Sequence, residues 1–282
     1  MISAIYVILA VSLDLLAGEA GLLSVSHAGF FGVGAYTSAL VAVRLGGSFL
    51  LWLLSAMAIA AILSMSVSIP SMRLHDDYFI ICTFGLQMIL FNLMNNWQSL
   101  TAGPFGISAI PAPRILGIGV TTRSRFAILA VAIAILASAV VWRLRNSAFG
   151  RVLRAIREDE MAAQAFGKNT VRFKIIAFAI SAAIAGTAGS LYAHYSTFID
   201  PTSFSVTESI LVLAMVIIGG AGSFWGPAIG AVLLVVFPEM LRFLGLPVTT
   251  AADLRQILYG TALVLMMIVR PKGMIGTYEL GS

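Results

Sequence analysis

The sequence predicts an all-α integral membrane protein, a polytopic helical bundle with about eight or nine transmembrane segments, some of them broken. The first observation is composition: 60% of the 282 residues are hydrophobic and only 10% are charged, whereas soluble domains carry about 25% charged residues. The second is a mean hydropathy of +0.99, which leaves too few polar groups to coat a water-soluble protein. The third is that the apolar runs are long and continuous. Transmembrane β-strands alternate instead, so helices must satisfy the backbone in lipid.

Nine apolar segments follow one another along a single transmembrane domain that covers residues 1–282. The first has no basic residues before it and contains Asp14, which argues for a retained helix rather than a cleaved signal peptide. The segments are 1–17, 27–43, 49–70, 78–97, 126–142, 175–195, 207–218, 225–243 and 254–270.

The distribution of basic residues predicts the orientation of the chain. With nine crossings and a cytoplasmic 143–174 segment, eleven of the 17 Lys and Arg residues lie on the cytoplasmic side and six on the other. Because Lys and Arg are retained in cytoplasmic loops, the N-terminus is predicted outside and the C-terminus inside. The same loops explain the net charge of +5, so nucleic acid is not expected as a partner.

The two long polar connections differ in character. Residues 98–125 are rich in Pro and Gly, which predicts an irregular external loop. Residues 143–174 have helical spacing and predict a charged hairpin of two short helices. Ser147 and Asp159 are the expected N-caps, and Gly167 is expected just beyond the end of the second helix. From the residues alone, this hairpin could dock a partner protein or lie on anionic lipid.

Two glycine-rich breaks interrupt the apolar pattern, one at 18–34 and one at 219–227. Unwound backbone at membrane depth is tolerated where it is buried in protein or lines a cavity, and its free N–H groups can hold a substrate carboxylate. Close helix packing is the alternative for these glycines and is favoured for the small residues at 182–189. The residues predicted to line a translocation pathway are Gly21, Ser24, Ser26, His27, Gly29, Gly219, Gly220, Gly222 and Ser223.

Ionisable residues inside apolar segments are expected to face the protein interior, because a charge in lipid costs about 2.5–3.5 kcal/mol. The acids concerned are Asp14, Glu19, Glu208 and Glu239. His27 could bond the freed backbone or line the route, and His75 and His194 are expected at the membrane interface.

The sequence contains no recognisable catalytic, metal-binding or nucleotide-binding motif. No His, Cys or carboxylates recur at metal-ligand spacing, and the serines near His27 lack an apparent base, so no metal site and no catalytic residues are predicted. Cys82 is the single cysteine and is expected to fill an apolar helix. There is also no G-x-x-x-x-G-K-[ST] motif for binding phosphates.

The 149–169 stretch, FGRVLRAIREDEMAAQAFGKN, resembles the coupling segment of ABC importer permeases. The core of that segment is Glu-Ala-Ala, three residues, then Gly. The matching residues here are Ala162, Ala163 and Gly167. Met161 occupies the position of the family's Glu, and Glu160 lies one residue earlier.

This shifted form is similar to the branched-chain amino-acid permeases of the LivM type. Three other stretches carry the same resemblance in the same order: GLLSVSHAGFFGVGAYT at 21–37, TAGPFGISAIP at 101–111 and SILVLAMVIIGGAGSFWGPAIGA at 209–231. The resemblance implies a role in coupling to an ATPase for Arg154, Arg157, Glu158, Asp159, Glu160, Ala162, Ala163 and Gly167.

The resemblance also implies partners and a location. These are two cytoplasmic ABC ATPases that bind ATP and Mg, a second homologous permease, an external substrate-binding protein and the bacterial inner membrane. The implied function is import of branched-chain or other hydrophobic amino acids, with urea, amides or aromatic acids as alternatives. An ion-coupled secondary transporter remains the alternative mechanism.

Overall fold

The computed structural model describes residues 1–71, 76–115, 118–120 and 122–240, and near the C-terminus residues 257, 259–266, 268, 270 and 273–276. Over these residues the protein is almost entirely helical. The helices are α1 (Ile2–Ala17), α2 (His27–Arg44), α3 (Phe49–Ser71), α4 (Asp76–Asn96), α5 (Gln98–Thr101), α6 (Arg123–Arg145), α7 (Ala148–Glu158), α8 (Glu160–Ala165), α9 (Thr170–Ser196), α10 (Val206–Gly219) and α11 (Gly226–Met240).

Each of the first eight predicted segments coincides with a helix, and residues 259–266 of the ninth are helical as well. Among the described residues, five helical stretches are long and apolar enough to cross a membrane, which makes the chain a multi-pass protein. They are Phe49–Ile69, Tyr78–Asn96, Arg123–Arg145, Thr170–Ser196 and Pro201–Gly219. Among the described residues, the apolar helices Ile2–Ala17 and Gly226–Phe237 are shorter.

Helix α9 is the centre of the bundle and packs mainly against α2, α3 and α1. Its small residues permit this close packing: a Cβ on Gly186 would lie 2.9 Å from the Ala60 methyl group and 2.8 Å from the Ala56 carbonyl oxygen, and one on Gly189 would overlap the backbone of α2. The packing interpretation of the 182–189 glycines is thereby confirmed.

The outer helices expose their apolar side chains. In the most apolar stretches of α3 and α6 only 22% of the residues are buried, against 72% in α9. Leu50, Ile62, Ile128 and Ile135 all point outward. An apolar outer surface of this kind is suited to lipid rather than water.

The loop at 98–125 has the irregular structure predicted for it. It contains α5, a 3-10 helix at Gly103–Phe105 and a two-residue antiparallel ladder of β1 (Arg114–Ile115) with β2 (Ile118–Gly119). Ile107 pairs with Ile199 beyond the end of α9. This loop therefore lies at the C-terminal end of α9, away from α7 and α8.

Both breaks are present, but the first is shorter than predicted. Residues 18–26 are non-helical and α2 begins at His27, so the 27–34 half of the expected break is regular helix. Its glycines contact neighbouring helices instead of unwinding the backbone, as Gly34 does against the backbone of Gly186. The second break, between Gly219 and Gly226, separates α10 from α11 as predicted.

Candidate coupling and translocation site

The two breaks are joined to each other through Asp14. The Asp14 Oδ1 atom accepts a hydrogen bond of 2.8 Å from the Gly222 N–H, and the Asp14 side chain is buried. The absence of a side chain at Gly18 makes this contact possible, since a Cβ there would overlap both the Asp14 carboxylate and the Gly222 nitrogen. The two breaks are therefore in direct contact.

Helix α7 is attached to the first break by two arginines. Arg154 Nη1 lies 2.6 Å from Glu19 Oε2, and Arg157 Nη1 donates to the Gly18 carbonyl oxygen. Gly21, with φ +71°, lets the backbone pass beneath the Arg157 side chain, because a Cβ on Gly21 would lie 2.8 Å from Arg157 Cγ. The hairpin thus rests on unwound backbone rather than on a regular helix.

Arg145, at the end of α6, connects the remaining parts. Its Nε lies 2.7 Å from Glu19 Oε1, its Nη2 donates to the Gly222 carbonyl oxygen, and its Nη1 lies 3.9 Å from Asp14 Oδ2. Its own carbonyl oxygen accepts a 3.1 Å hydrogen bond from Arg154. We call Asp14, Glu19, Arg145, Arg154 and Arg157 the arginine–carboxylate network.

The network pairs the buried negative charge of Glu19 with positive charges. Glu19 is 1% exposed, and an isolated buried carboxylate is strongly unfavourable unless it is paired and hydrogen-bonded. Two arginines supply that pairing, one from α6 and one from α7. The same ion pairs that stabilise the acid therefore hold the hairpin against the transmembrane helices.

Sequence reasoning found some members of this network and missed others. Arg154 and Arg157 were assigned to the hairpin, and Asp14 and Glu19 were expected to face inward, but no partner was assigned to either acid. Arg145 was counted only as a cytoplasmic charge. The signal that could have found it is the rule that buried acids need cations, with Arg145 available at the end of an apolar helix.

The outer face of the hairpin is accessible and partly apolar. Met161 and Phe166 are 80% and 84% exposed, and the side chain of Glu158 is 72% exposed. Ala162 is exposed too, but Ala163 is buried against its own chain. Ala163 therefore does not contribute to the exposed face of the hairpin.

The predicted side-chain cap is present at the start of α8 but not at the start of α7. Asp159 Oδ1 accepts from the Ala162 N–H at 2.9 Å, and Gly167 follows α8 with φ +77°. Ser147 occupies the N-cap position of α7, but its hydroxyl donates to the Leu144 carbonyl oxygen at 2.6 Å instead.

Glu160 ties the hairpin to the start of α9. Its carboxylate lies 2.7 Å from Lys174 Nζ. Partial burial on its own would raise the pKa of Glu160, but hydrogen bonds from Lys174 and Thr170 and the Lys174 charge outweigh it, so the pKa lies below its usual value. Glu160 therefore stays ionised at neutral pH.

His27, one of the predicted pathway residues, is buried and bonded to two serines from other helices. His27 Nε2 lies 3.0 Å from Ser12 Oγ and 3.2 Å from Ser181 Oγ. Both hydroxyls donate to backbone carbonyl oxygens, of Leu9 and Ser12, so they accept from His27. His27 thus links α1, α2 and α9 and does not bond the freed backbone, which was one of the two alternatives.

The backbone N–H groups at the start of α2 are already occupied. The Val25 N–H donates to the Thr83 hydroxyl at 3.2 Å. The Ala28 N–H donates to the Ser209 hydroxyl at 2.9 Å. The Gly29 N–H donates to the Gln87 side-chain oxygen at 2.6 Å. Ser24 and Ser26 bond each other at 3.0 Å. In this conformation these N–H groups are therefore not available to a substrate carboxylate.

The second break is a packed turn. Gly220 and Gly222 have φ +105° and +73°, a region that favours glycine. Ser223 Oγ donates to the Gly220 carbonyl oxygen at 3.0 Å and accepts from the Gly226 N–H at 2.9 Å. The carbonyl oxygen of Gly219 accepts from Ile275 N–H at 3.1 Å, so residues near the C-terminus cover this turn.

Of three further ionisable residues singled out in the sequence, the structure describes the side chain of His194. His194, in the last turn of α9, is buried, stacks on Trp52 with ring centroids 4.7 Å apart, and contacts the Pro111 carbonyl oxygen at 2.8 Å. His75 and the side chain of Glu239 lie outside the described residues. Over the residues that the structure describes, no group of three His, Cys, Asp or Glu side chains could hold a metal ion.

Comparison with known proteins identifies the family. Residues 1–267 match the family described as the branched-chain amino acid transport system / permease component. The chain is 36% identical to the high-affinity branched-chain amino acid transport system permease protein LivM of Escherichia coli (strain K12), over 96% of this chain and 68% of the relative. It is 32% identical to the probable LivM of Methanocaldococcus jannaschii, over 79% of this chain and 68% of that protein.

A second type of permease, named LivH, is less similar to this chain in sequence. The LivH protein of Salmonella typhimurium is 25% identical over 98% of this chain and 92% of its own length. No solved structure matches the chain. The extent of the family match and the identity to the LivM proteins agree with the motifs in the sequence: the chain belongs to the branched-chain amino acid transport system permease family.

Proposed function

We propose that this chain is a permease subunit of an ABC importer that moves branched-chain or other hydrophobic amino acids into the cytoplasm. ATP, bound with Mg by two partner ATPases, drives the cycle, a second homologous permease completes the membrane channel, and an external binding protein delivers the substrate. The membrane is the bacterial inner membrane, which the chain crosses about eight or nine times.

The observation that carries the mechanism is the arginine–carboxylate network. The α7–α8 hairpin contacts the first break through Arg154 and Arg157, and the first break contacts the second through Asp14. A rigid-body movement of the hairpin, imposed by the ATPases, would displace both breaks together. The two states of this element must bind the ATPases with different free energies, or ATP could not drive the change.

The predicted pathway residues fit this mechanism as a closed state. Opening a route past Ser24, Ser26 and His27 requires that the hydrogen bonds to Thr83, Gln87 and Ser209 exchange. The exchange would release N–H groups that a substrate carboxylate could then use. Asp14 is less suited to ion coupling, because it already engages Gly222 and lies close to Arg145.

A reconstituted complex tests the proposal. Proteoliposomes that contain this chain, the second permease and the ATPases are supplied with ATP inside and loaded binding protein outside. We expect uptake of labelled leucine with wild-type protein. Ala162→Arg, on the exposed face of α8, should abolish ATPase co-purification and uptake, because the long charged side chain prevents close packing.

The matched control is Ala162→Ser, because a serine side chain is nearly as small as that of alanine. This variant should retain both ATPase co-purification and leucine uptake. ATP-independent leucine uptake by the wild-type chain would contradict the proposal, and so would normal ATPase binding and uptake by Ala162→Arg.

A further inference from the structure

Glu208 is a carboxylate that the arginine–carboxylate network does not use. It lies in the first turn of α10 and is half-buried within a stretch apolar enough to cross the membrane. Throughout the described part of the chain no Lys, Arg or His lies within ion-pair distance of it, although Asp14, Glu19 and Glu160 all have basic partners. An acid in a membrane segment without a cation marks a substrate or ion site by default.

One tyrosine contacts this carboxylate, and a second lies against the segment just before α10. The Tyr6 hydroxyl donates a hydrogen bond to Glu208 Oε1, and Tyr192 packs against Phe204, in the segment that leads into α10, with ring centroids 5.9 Å apart. The Tyr192 ring is held in place by Phe31, at a centroid distance of 5.3 Å, and its hydroxyl is 3.4 Å from Ser203 Oγ. A carboxylate that lies among aromatic side chains and has no basic partner among the described residues can bind a cation.

The position of this cluster within the bundle matches the entry side of the proposed importer. Glu208 follows the C-terminal end of α9, whereas the N-terminal end of α9 contacts the hairpin through Thr170 and Gln164. The 27 residues of α9 separate the two ends by about 40 Å at 1.5 Å per residue. In the predicted orientation, Glu208 and its tyrosines are on the external side.

The cluster is also connected to the breaks. Tyr6 lies on α1, which leads to the first break, and Glu208 lies on α10, which leads to the second. From Glu208 to Gly219 the distance along α10 is about 16 Å. A cation held at the cluster would thus sit at the outer end of the two helices whose inner ends the hairpin controls.

We propose that Glu208, with Tyr6 and Tyr192, binds the ammonium group of the amino acid as it enters the permease. This inference rests on the proposed function, because it requires that the substrate be an amino acid. The carboxylate pairs with the ammonium charge, and the tyrosine rings contribute cation–π contacts and orient the acid. A hydrogen bond that only holds α1 against α10 would need no charge and is the structural alternative.

Analogues of leucine that lack one charged group separate these possibilities. The complex of this chain, the second permease and the ATPases is placed in lipid nanodiscs without binding protein, and ligand contact is measured by saturation-transfer NMR at millimolar concentration. The probes are leucine, 3-methylbutylamine, which keeps only the ammonium, and 4-methyl-2-oxopentanoate, which keeps only the carboxylate. Wild-type complex should bind leucine and the amine.

The variant Glu208→Gln keeps the size and the hydrogen bond from Tyr6 but removes the charge. It should weaken binding of leucine and of the amine by about ten-fold or more, as loss of a charge-assisted hydrogen bond predicts, and leave the response to the keto acid unchanged. Glu208→Asp should retain a measurable part of amine binding. The second permease and the ATPases should co-purify with both variants in wild-type proportion, which verifies that the complex is assembled.

Two results would overturn the inference: a wild-type complex that does not bind the amine, or a Glu208→Gln complex that binds leucine and amine as the wild type does. Equal loss of all three probes together with loss of the co-purifying subunits would assign Glu208 a structural role only. Failure of the proposed function would appear elsewhere, as a wild-type complex that takes up no leucine with ATP and binding protein.

Discussion

Glu19 is the residue at which α6, the hairpin and the first break meet. Arg145 and Arg154 bind its two oxygens at 2.7 Å and 2.6 Å. Breaking a buried ion pair by removing one partner leaves an uncompensated charge, which costs about 3–5 kcal/mol. Since Arg145 and Arg154 are themselves partly accessible, with side chains 15% and 34% exposed, the lower end of that range applies.

Glu19→Gln should therefore lower the free energy of unfolding by about 3 kcal/mol, measured by thermal and denaturant unfolding in lipid nanodiscs. It should also leave ATP hydrolysis running with reduced leucine uptake, because the hairpin loses its anchor. The matched control is Glu158→Gln, whose side chain is 72% exposed and should change stability by less than about 0.5 kcal/mol. Equal losses of unfolding free energy from the two substitutions would refute the role given to Glu19.

At the scale of secondary-structure elements, the two breaks behave as one unit because backbone approaches backbone there. Gly18 has ordinary helical dihedral angles, so it is required for space rather than for conformation. Gly222 supplies the N–H that reaches Asp14. Glycine content indicated that these segments would be unwound, but which glycine meets which could not be inferred, since it depends on how α1 packs against α11.

Gly18→Ala should destabilise the protein by about 1–3 kcal/mol, the usual cost of overpacking, because the new methyl group would overlap the Gly222 nitrogen, which belongs to the backbone and cannot move aside. Gly85→Ala is the control, because a Cβ at Gly85 in α4 meets no atom within 4 Å. That change should be neutral or stabilise by about 0.5 kcal/mol. The measurement is the melting temperature of purified protein in one detergent, and a Gly18→Ala variant as stable as Gly85→Ala would show that the breaks can separate.

At the scale of the whole molecule, sequence patterns predicted the helices well and the contacts between them poorly. Continuous apolar runs located every large helix within a few residues, because the period and length of such runs are local properties. The ion pairs of Arg145 and the burial of His194 could not be predicted, because they join elements far apart in the chain. The capping of α8 by Asp159 was predictable for the opposite reason: its partner is three residues away.

The orientation of the bundle can be tested at two exposed phenylalanines that lie on either side of α6 in the sequence. Phe105 in the 98–125 loop and Phe166 after α8 are both 84% exposed, and the 23 residues of α6 span about 34 Å, slightly more than the hydrocarbon thickness of about 30 Å. In a Cys82→Ser background, Phe105→Cys should react with a membrane-impermeant maleimide on intact spheroplasts. Phe166→Cys should react only after the membrane is opened, since the basic hairpin is predicted inside. Labelling of both cysteines from the same side would disprove the passage of α6 through the membrane, and the reverse pattern would invert the orientation of every helix.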